Sequence, residues 1–415
     1  MDPILRTEAR EIEDLPSWIL IHGRRKVGKT FILRNFIRHD VYVTVRRDGA
    51  SYATGLPLER IESPERLVYL VGPLLKDGRT VIIDEFQRLP ESFLDEIATF
   101  HPHGRLILSG SSMRVVKRVM GIGAPLVGLM SVYQLGLLRP TDALRAFQGS
   151  GPELAVPLSA YLRDPWLVDM YKGETDLEVF LHKAIRASRM AIPALIGEVF
   201  VESERSLTQV YEGVLRGVGA GLWSPGQVAH RLHTTGLLGS DAATHVMPYL
   251  KNLEDMGLVT SVDIFGMRRR KVHRLVSQMM DTFYYLADRH QTDEVDRPLE
   301  EVRPNLRRMV SQAVERFVGE LFSQLEEGRL EYSFDPELDF IITKGRNRTP
   351  STVGEVRWGR YAMSDVEDFA RKVEGLDCRK VFVTPRVTSA GRIGEVEVMG
   401  AADLLRLATK SGRKD

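Results

Sequence analysis

The stretch that decides the fold reads Gly23-Arg24-Arg25-Lys26-Val27-Gly28-Lys29-Thr30. It stands between the apolar run 18–21 and the helix-like segment 31–37, and this order predicts a strand, a glycine-rich loop and a helix. Glycines let such a loop turn tightly, so that its backbone N–H groups point at phosphates. The positive end of the following helix attracts the same anion. The stretch therefore predicts a nucleotide site.

The side chains of this loop suggest separate tasks in nucleotide binding. Gly23 and Gly28 would shape the turn, and Arg25 would lie beside the phosphates. Lys29 would bridge the outer phosphates, while the hydroxyl of Thr30 would hold Mg²⁺. The alternative is a structural glycine-rich turn without a ligand.

A second motif, Val81-Ile82-Ile83-Asp84-Glu85, supports the nucleotide site over that alternative. It reads as a buried strand that ends in two carboxylates. We expect Asp84 to bind the Mg²⁺ shell and Glu85 to polarise the attacking water. A third apolar strand, 106–108, leads to Ser109, which either senses the gamma-phosphate or merely begins a turn.

The composition is that of an ordinary intracellular protein of several domains. The chain has 415 residues, 43% hydrophobic and 27% charged, which is enough for two to four domains. No apolar run has the length of a membrane span, and we expect a cytoplasmic location. A single cysteine, Cys378, excludes an intramolecular disulfide. The net charge of +1 means that any basic surface is local.

The order of strand and helix signals predicts an α/β fold in four parts. Strand signals near 18–22, 41–46, 80–84, 105–109 and 131–136 indicate a parallel sheet covered by helices, within a P-loop ATPase core at 1–140. From 141 to 221 the apolar spacing is helical. This segment is either a subdomain that closes over the nucleotide or a connector.

Residues 222–290 predict a winged helix. Ser224 and Pro225 begin a helix, a turn precedes a second helix at 241–256, and strand-like runs at 258–262 and 271–275 follow. Pro248 would kink the second helix. The tip of the hairpin is basic, which favours contact with DNA, although a winged helix also serves in packing or protein contacts.

In a DNA-binding winged helix, the second helix would enter the major groove and the hairpin tip would reach phosphates. The predicted DNA-binding residues are Thr244, His245, Tyr249, Lys251 and Asn252 on the helix, with Arg268, Arg269 and Arg270 at the tip.

A polar stretch at 289–303 reads as a linker to a last α/β domain at 304–410. Its predicted order is helix, three strands, helix and strand. Asp339 and Glu355 fall in neighbouring strand-like runs, and Glu315 lies on the first helix. If the strands pair, two carboxylates converge as a Mg²⁺ ion requires for phosphodiester hydrolysis. The alternative is that these carboxylates end exposed strands without a metal.

Segments 23–33, 81–90 and 106–112 resemble archaeal P-loop ATPases of the AAA/STAND type. That resemblance implies ATP and Mg²⁺ as cofactors, a winged helix and, in one branch, a restriction-endonuclease-like domain; it also makes a homo-oligomer plausible. The family often carries an arginine after the sensor strand, where this chain has Leu129. Fast hydrolysis is therefore not expected unless Arg25, Arg88 or Arg114 substitutes.

The carboxy-terminal pattern resembles the PD-(D/E)XK nucleases. By that resemblance Asp339 and Glu355 are metal ligands and Glu315 is the helix carboxylate. Where the family has lysine, this chain has Arg357. Arginine keeps a positive charge for the transition state but cannot release a proton near neutral pH, so it is no general base.

Together these patterns predict an ATPase that acts on duplex or branched DNA, without a membrane segment. The alternative is a nucleotide-dependent switch of the STAND type, in which hydrolysis is rare and an inactive nuclease-like domain serves as an interaction surface.

Overall fold

The computed structural model describes residues 3–16, 18–56, 60–111, 119–197, 205–387 and 391–411. The chain divides into two compact units. The N-terminal unit comprises residues 6–137 with 255–257, and the C-terminal unit comprises 138–254 and 258–415 with the first five residues.

The N-terminal unit is built on a seven-stranded sheet with the order β4-β3-β2-β5-β6-β1-β7. The five strands predicted from the sequence are present, and they run parallel to one another. The sequence did not reveal β3 and β4, which form an antiparallel edge, because they are too short to show a period. The strands are β1 Trp18–His22, β2 Val41–Val45, β3 Ser51–Thr54, β4 Arg60–Ile61, β5 Thr80–Asp84, β6 Arg105–Gly110 and β7 Ser131–Gln134.

Helices cover this sheet and bury both of its faces. Alternate residues of β1 enter two cores, Trp18 and Leu20 in one and Ile19 and Ile21 in the other, which explains its unbroken apolar run. The described helices are α1 Glu8–Glu13, α2 Lys29–Asn35, α3 Pro64–Lys76 and α4 Glu91–Ala98.

The C-terminal unit begins with helices and contains no strand in its described residues before 259. Its first helices are α5 Pro140–Phe147, α6 Pro152–Leu162, α7 Leu177–Ser188, α8 Ala191–Gly197 and α9 Arg205–Gly219. They are followed by α10 Pro225–Thr234, α11 Ala243–Asp255, α12 Gln278–His290, α13 Leu299–Glu326, α14 Met363–Lys372 and α15 Ala401–Ser411. A capping box at Ser224 begins α10, and α11 continues through Pro248.

An eight-stranded sheet with the order β14-β15-β13-β12-β11-β10-β8-β9 runs through this unit. Strands β10, β11 and β12 are antiparallel, and β12, β13 and β15 are parallel. The strands are β8 Val259–Ile264, β9 Lys271–Leu275, β10 Arg329–Phe334, β11 Glu337–Lys344, β12 Thr349–Val356, β13 Arg379–Val383, β14 Arg392–Ile393 and β15 Val396–Met399.

The hairpin of β8 and β9 belongs to this same sheet, which the sequence did not predict. Strand β8 pairs in parallel with β10, with Asp263 opposite Glu331 and Ile264 opposite Tyr332. The turn at 265–270, called the basic turn below, therefore lies at the sheet end where β11 begins and β12 ends.

The prediction of a linker at 289–303 is wrong at both ends of that range. Helix α12 extends to His290, and α13 begins at Leu299 and passes through Pro304. Proline removes one hydrogen bond from the helix. Burial of Val302 and Leu306, together with the ion pair between Arg303 and Glu178 at 2.6 Å, holds these turns in place.

Candidate nucleotide site and acidic cluster

The phosphate loop connects β1 to α2 and depends on its two glycines. A Cβ on Gly23 would lie 2.1 Å from the carbonyl oxygen of Leu135, so no larger residue fits there. Gly28 has a φ of +91°, and α2 begins at the next residue. The loop therefore delivers Lys29 and Thr30 to the first turn of the helix, as the sequence predicts.

Lys29 is buried and points back into the loop. Its Nζ donates to the carbonyl oxygens of Gly23 at 2.7 Å and Arg24 at 3.0 Å. Burial lowers its pKa to about 8, although the carboxylates of Glu85 and Asp84 oppose this shift. A buried ammonium group whose hydrogen-bond acceptors, among the described residues, are two carbonyl oxygens is suited to receive phosphate oxygens.

Asp84, at the end of β5, accepts hydrogen bonds from three directions. Thr30 Oγ1 and Tyr42 Oη donate to its Oδ2 at 2.7 and 2.8 Å, and the backbone N–H of Glu85 donates to Oδ1 at 3.0 Å. Burial, followed by the charge of Asp84, raises the pKa of Tyr42, so its hydroxyl keeps the proton that it donates. The sequence did not identify Tyr42 as a site residue, because no local sequence pattern shows that β2 pairs with β5.

Glu85 has its own donors. Its Oε2 accepts from Gln87 Nε2 at 2.8 Å and pairs with Arg88 Nη2 at 3.1 Å. The backbone at Glu85 is left-handed, with a φ of +60°. Arg88 also donates to the carbonyl oxygen of Val45 at 2.6 Å, which fixes its guanidinium beside Glu85.

The remaining predicted groups of this site differ in their surroundings. Ser109 is buried opposite Asp84 on β6, and its Oγ has no partner within the described residues. Leu129 packs against the apolar core, and Arg25 is partly exposed. Ser112 and Arg114 lie outside the residues that the structure describes.

The donor set suits Mg²⁺, which prefers oxygen ligands and retains several waters. The Thr30 hydroxyl and the Asp84 carboxylate are 2.7 Å apart and offer two such oxygens. Across the described parts of the chain, no three His, Cys, Asp or Glu side chains form a cluster able to hold a metal. An ion here would therefore also depend on water and phosphate oxygens.

A second acidic centre, called the acidic cluster below, comprises Asp339 on β11, Glu355 on β12 and Glu315 on α13. The two strands pair, and Asp339 Oδ2 accepts the backbone N–H of Val356 at 2.7 Å. Burial raises the pKa of Asp339 to about 7, and the charges of Glu315 and Glu355 add to the shift. Burial also raises the pKa of Glu315. The charges of the three side chains therefore repel one another, although among the described residues no three such groups lie close enough together to hold a metal by themselves.

Glu355 is the best neutralised member of the acidic cluster. Its Oε1 lies 2.6 Å from Arg357 Nη2 and 3.6 Å from Lys372 Nζ on α14. The sequence did not single out Lys372, because only the fold brings the end of α14 to this strand.

The predicted DNA-binding residues fall into two groups. Thr244, His245 and Lys251 are exposed on α11, and Arg268, Arg269 and Arg270 are exposed in the basic turn. In contrast, Tyr249 packs edge-on against the ring of Tyr211 at 5.0 Å, and Asn252 Nδ2 donates to Tyr211 Oη at 2.6 Å. These last two residues hold α11 against α9.

The sheet order and the loop define a P-loop nucleoside triphosphatase. Residues 16–139 match the family model described as "AAA domain". The Walker-type ATPase of Pyrococcus abyssi has a similar structure, with 16% identity, a TM-score of 0.50 and coverage of 68% of this chain and 96% of its own. At this identity the likeness establishes the fold alone.

Weaker likenesses are found with archaeal ORC proteins. The ORC2 protein of Aeropyrum pernix, solved in ADPNP–ADP complexes, has 15% identity and a TM-score of 0.39 over 76% of this chain and 95% of its own. The ORC1 protein of the same organism, solved in complex with DNA, has 14% identity and a TM-score of 0.29 over 71% and 96%. No curated protein matches the sequence significantly.

The protein is thus an ATPase, and its residues 16–139 are similar to AAA domains. In the described part of the chain, no helix has both the length and the apolar character needed to cross a membrane.

Proposed function

We propose that this ATPase acts on DNA through its C-terminal unit, where residues 222–290 contact the duplex as a winged helix and a nuclease-like centre cleaves a strand. The N-terminal unit binds ATP and Mg²⁺ and reports the nucleotide state. In this role the protein would work inside the cell, as a monomer or as a homo-oligomer.

One observation supports the proposal that the protein acts on DNA: the basic turn and the acidic cluster lie at the same end of one sheet. Strand β8 leads into the basic turn, β11 begins with Glu337 and β12 ends at Val356, all at that end. Three strand intervals separate β8 from β12, or about 14 Å at the usual spacing. Arginines that bind phosphates would therefore hold a backbone near the carboxylates.

In the N-terminal unit, Lys29 would exchange its two carbonyl contacts for phosphate oxygens. Thr30 and Asp84 would hold Mg²⁺, which neutralises the charge that develops on the transferred phosphate. Tyr42 would keep Asp84 oriented. Glu85 would polarise water once Gln87 and Arg88 release it.

In the acidic cluster, Asp339 and Glu355 supply oxygen ligands that suit a divalent cation. Such an ion supplies a nucleophilic water and stabilises the leaving oxygen. Arg357 would pass from Glu355 to the negative charge of the transition state. Because an arginine does not release its proton near neutral pH, Arg357 would stabilise charge and would not act as the general base.

The second candidate is the nucleotide-dependent switch, and the ion pairs favour it in one respect. Glu85 is held by two donors, and Glu355 faces two cations. If these contacts persist when ligands bind, ATP is held without rapid hydrolysis and the acidic cluster is an interaction surface.

Cleavage assays distinguish the two candidates. Linear, forked and four-way DNA are incubated with the protein and Mg²⁺ or Mn²⁺. We expect cutting that Asp339→Asn abolishes and that Glu397→Gln leaves intact. The control removes a partly exposed carboxylate of β15 that is paired with Arg379. No cutting of any substrate by the wild type would favour the switch. Cutting that persists in Asp339→Asn would contradict the metal-site assignment.

A further inference from the structure

A cavity of about 410 Å³ in the C-terminal unit ends at the acidic cluster. Asp339 and Glu315 line one part of it. The rest is lined by aromatic, basic and neutral side chains and by two further carboxylates, Asp281 and Glu337. We call this cavity the groove. The residues that matter for its chemistry are Trp223, Tyr285, Arg289, Arg308, Phe334 and Asp339.

The groove holds an aromatic surface that the protein does not cover. Phe334, at the end of β10, is 46% exposed. Its ring lies 5.2 Å from the ring of Trp223, with the planes tilted by 34°. The backbone N–H of His273 donates to the carbonyl oxygen of Trp223 at 2.9 Å, which fixes this residue. Two adjacent rings in a cavity, one of them about half exposed, offer a face on which a planar base can stack.

Two cations line the same groove. The guanidinium groups of Arg289 and Arg308 lie over the ring of Tyr285, at 4.7 and 5.9 Å from its centre. Both arginines are exposed, and neither has a carboxylate partner among the described residues. By comparison, Arg316 in the same groove is paired with Asp281. Arg289 and Arg308 are thus uncompensated positive charges, which suit phosphates.

We propose that the groove binds an unpaired DNA strand, with a base stacked on Phe334 and Trp223 and phosphates on Arg289 and Arg308. The strand would then place a phosphodiester at Asp339. Bases in a duplex stack on one another and cannot use a protein ring in this way. This inference rests on the proposed function and specifies its substrate as an overhang, flap or single-stranded arm.

Binding measured without cleavage tests the groove separately from the nuclease. Fluorescence anisotropy in EDTA compares a forked DNA with the blunt duplex of the same sequence, on the full-length protein. We expect the wild type to prefer the fork, and Phe334→Ala to weaken binding of the fork by about tenfold with little effect on the duplex. Phe334→Tyr should restore the preference because it keeps the ring. Tyr69→Ala, which removes a 75% exposed ring from α3, is the matched control.

An abasic nucleotide in the single-stranded arm identifies the stacking itself. Loss of that base should weaken binding to the wild type and not to Phe334→Ala, because the ring and the base act as a pair. Arg289→Gln with Arg308→Gln should weaken binding to the fork whether or not the base is present. Arg371→Gln, an exposed arginine on α14, controls for loss of charge.

The outcomes separate this inference from the proposed function. Preferential, ring-dependent binding to the fork with no cutting in Mg²⁺ supports the groove and contradicts the nuclease. Cutting that is equal on fork and duplex, with Phe334→Ala unchanged in binding, contradicts the groove and leaves the nuclease standing. Equal affinity of all variants for the fork overturns the inference.

Discussion

The two acidic centres of this protein differ in how their central aspartates are neutralised. Asp84 accepts hydrogen bonds from Thr30, Tyr42 and the next backbone N–H. Asp339 accepts one backbone N–H and is close enough to two other carboxylates for their charge to raise its pKa. The first centre is thus stabilised by the fold alone, whereas the second retains a repulsion that a cation would relieve.

The largest effect is expected from a substitution that disrupts the first centre, the nucleotide site. Lys29→Ala removes the buried ammonium group that would bind the phosphates, and we expect ATP turnover to fall by roughly 100-fold or more. The measurement is phosphate release at saturating ATP and Mg²⁺. Lys26→Asn is the control, because it removes an exposed lysine of the same loop and asparagine tolerates its φ of +67°. Equal turnover in Lys29→Ala and wild type would remove this loop from the reaction.

A smaller effect tests whether the donors of Asp84 matter. Tyr42→Phe deletes one of its three hydrogen bonds without changing the volume of the core. We expect turnover to fall by about tenfold, consistent with the loss of one hydrogen bond to a charged group. Tyr52→Phe, on the neighbouring β3, is the matched control. If the Mg²⁺ dependence of turnover is the same in Tyr42→Phe and wild type, Tyr42 does not position Asp84.

In the acidic cluster, we expect Asp339→Asn to raise the free energy of unfolding at neutral pH. The expected increase is about 1 kcal/mol or more, after a reduction for solvent screening. The pKa of Asp339 is higher in the folded protein than in the unfolded chain, where it is near 3.8. The folded state therefore binds more protons between about pH 4 and 7, and its free energy of unfolding falls as pH rises. In thermal unfolding, Asp339→Asn should be more stable than wild type at pH 8, and the difference should disappear near pH 4.

The same experiment has an internal control in Glu397→Gln, whose carboxylate is on β15 away from the acidic cluster. Mg²⁺ should stabilise the wild type more than Asp339→Asn, because the variant lacks one of the two carboxylates that would bind the ion and retains only the repulsion between Glu315 and Glu355. If Asp339→Asn is less stable than wild type at pH 8, no such repulsion exists at Asp339.

The sequence was sufficient where a site is formed by contiguous residues. The loop from Gly23 to Thr30 and the strand ending in Asp84 were placed correctly, because glycine turns and buried apolar strands leave a local pattern. Asp339 and Glu355 were also placed in neighbouring strand-like runs; the sequence left the pairing of those strands open, and the structure shows that they pair.

What the sequence did not reveal depends on contacts between distant segments. Tyr42 reaches Asp84 because β2 pairs with β5, and Lys372 reaches Glu355 from α14. The continuation of the β8–β9 hairpin into the C-terminal sheet has the same origin. Pairing order is decided by packing over the whole unit, so no local pattern reports it.

The central claim is that nucleotide turnover responds to DNA bound by the C-terminal unit. The most direct measurement is steady-state ATP hydrolysis with and without forked DNA, in the wild type and in a variant with Arg268, Arg269 and Arg270 changed to glutamine. We predict severalfold stimulation of the wild type and none of the triple variant, with equal basal rates. A wild-type rate that does not change with DNA, at concentrations where DNA is bound, would contradict the claim.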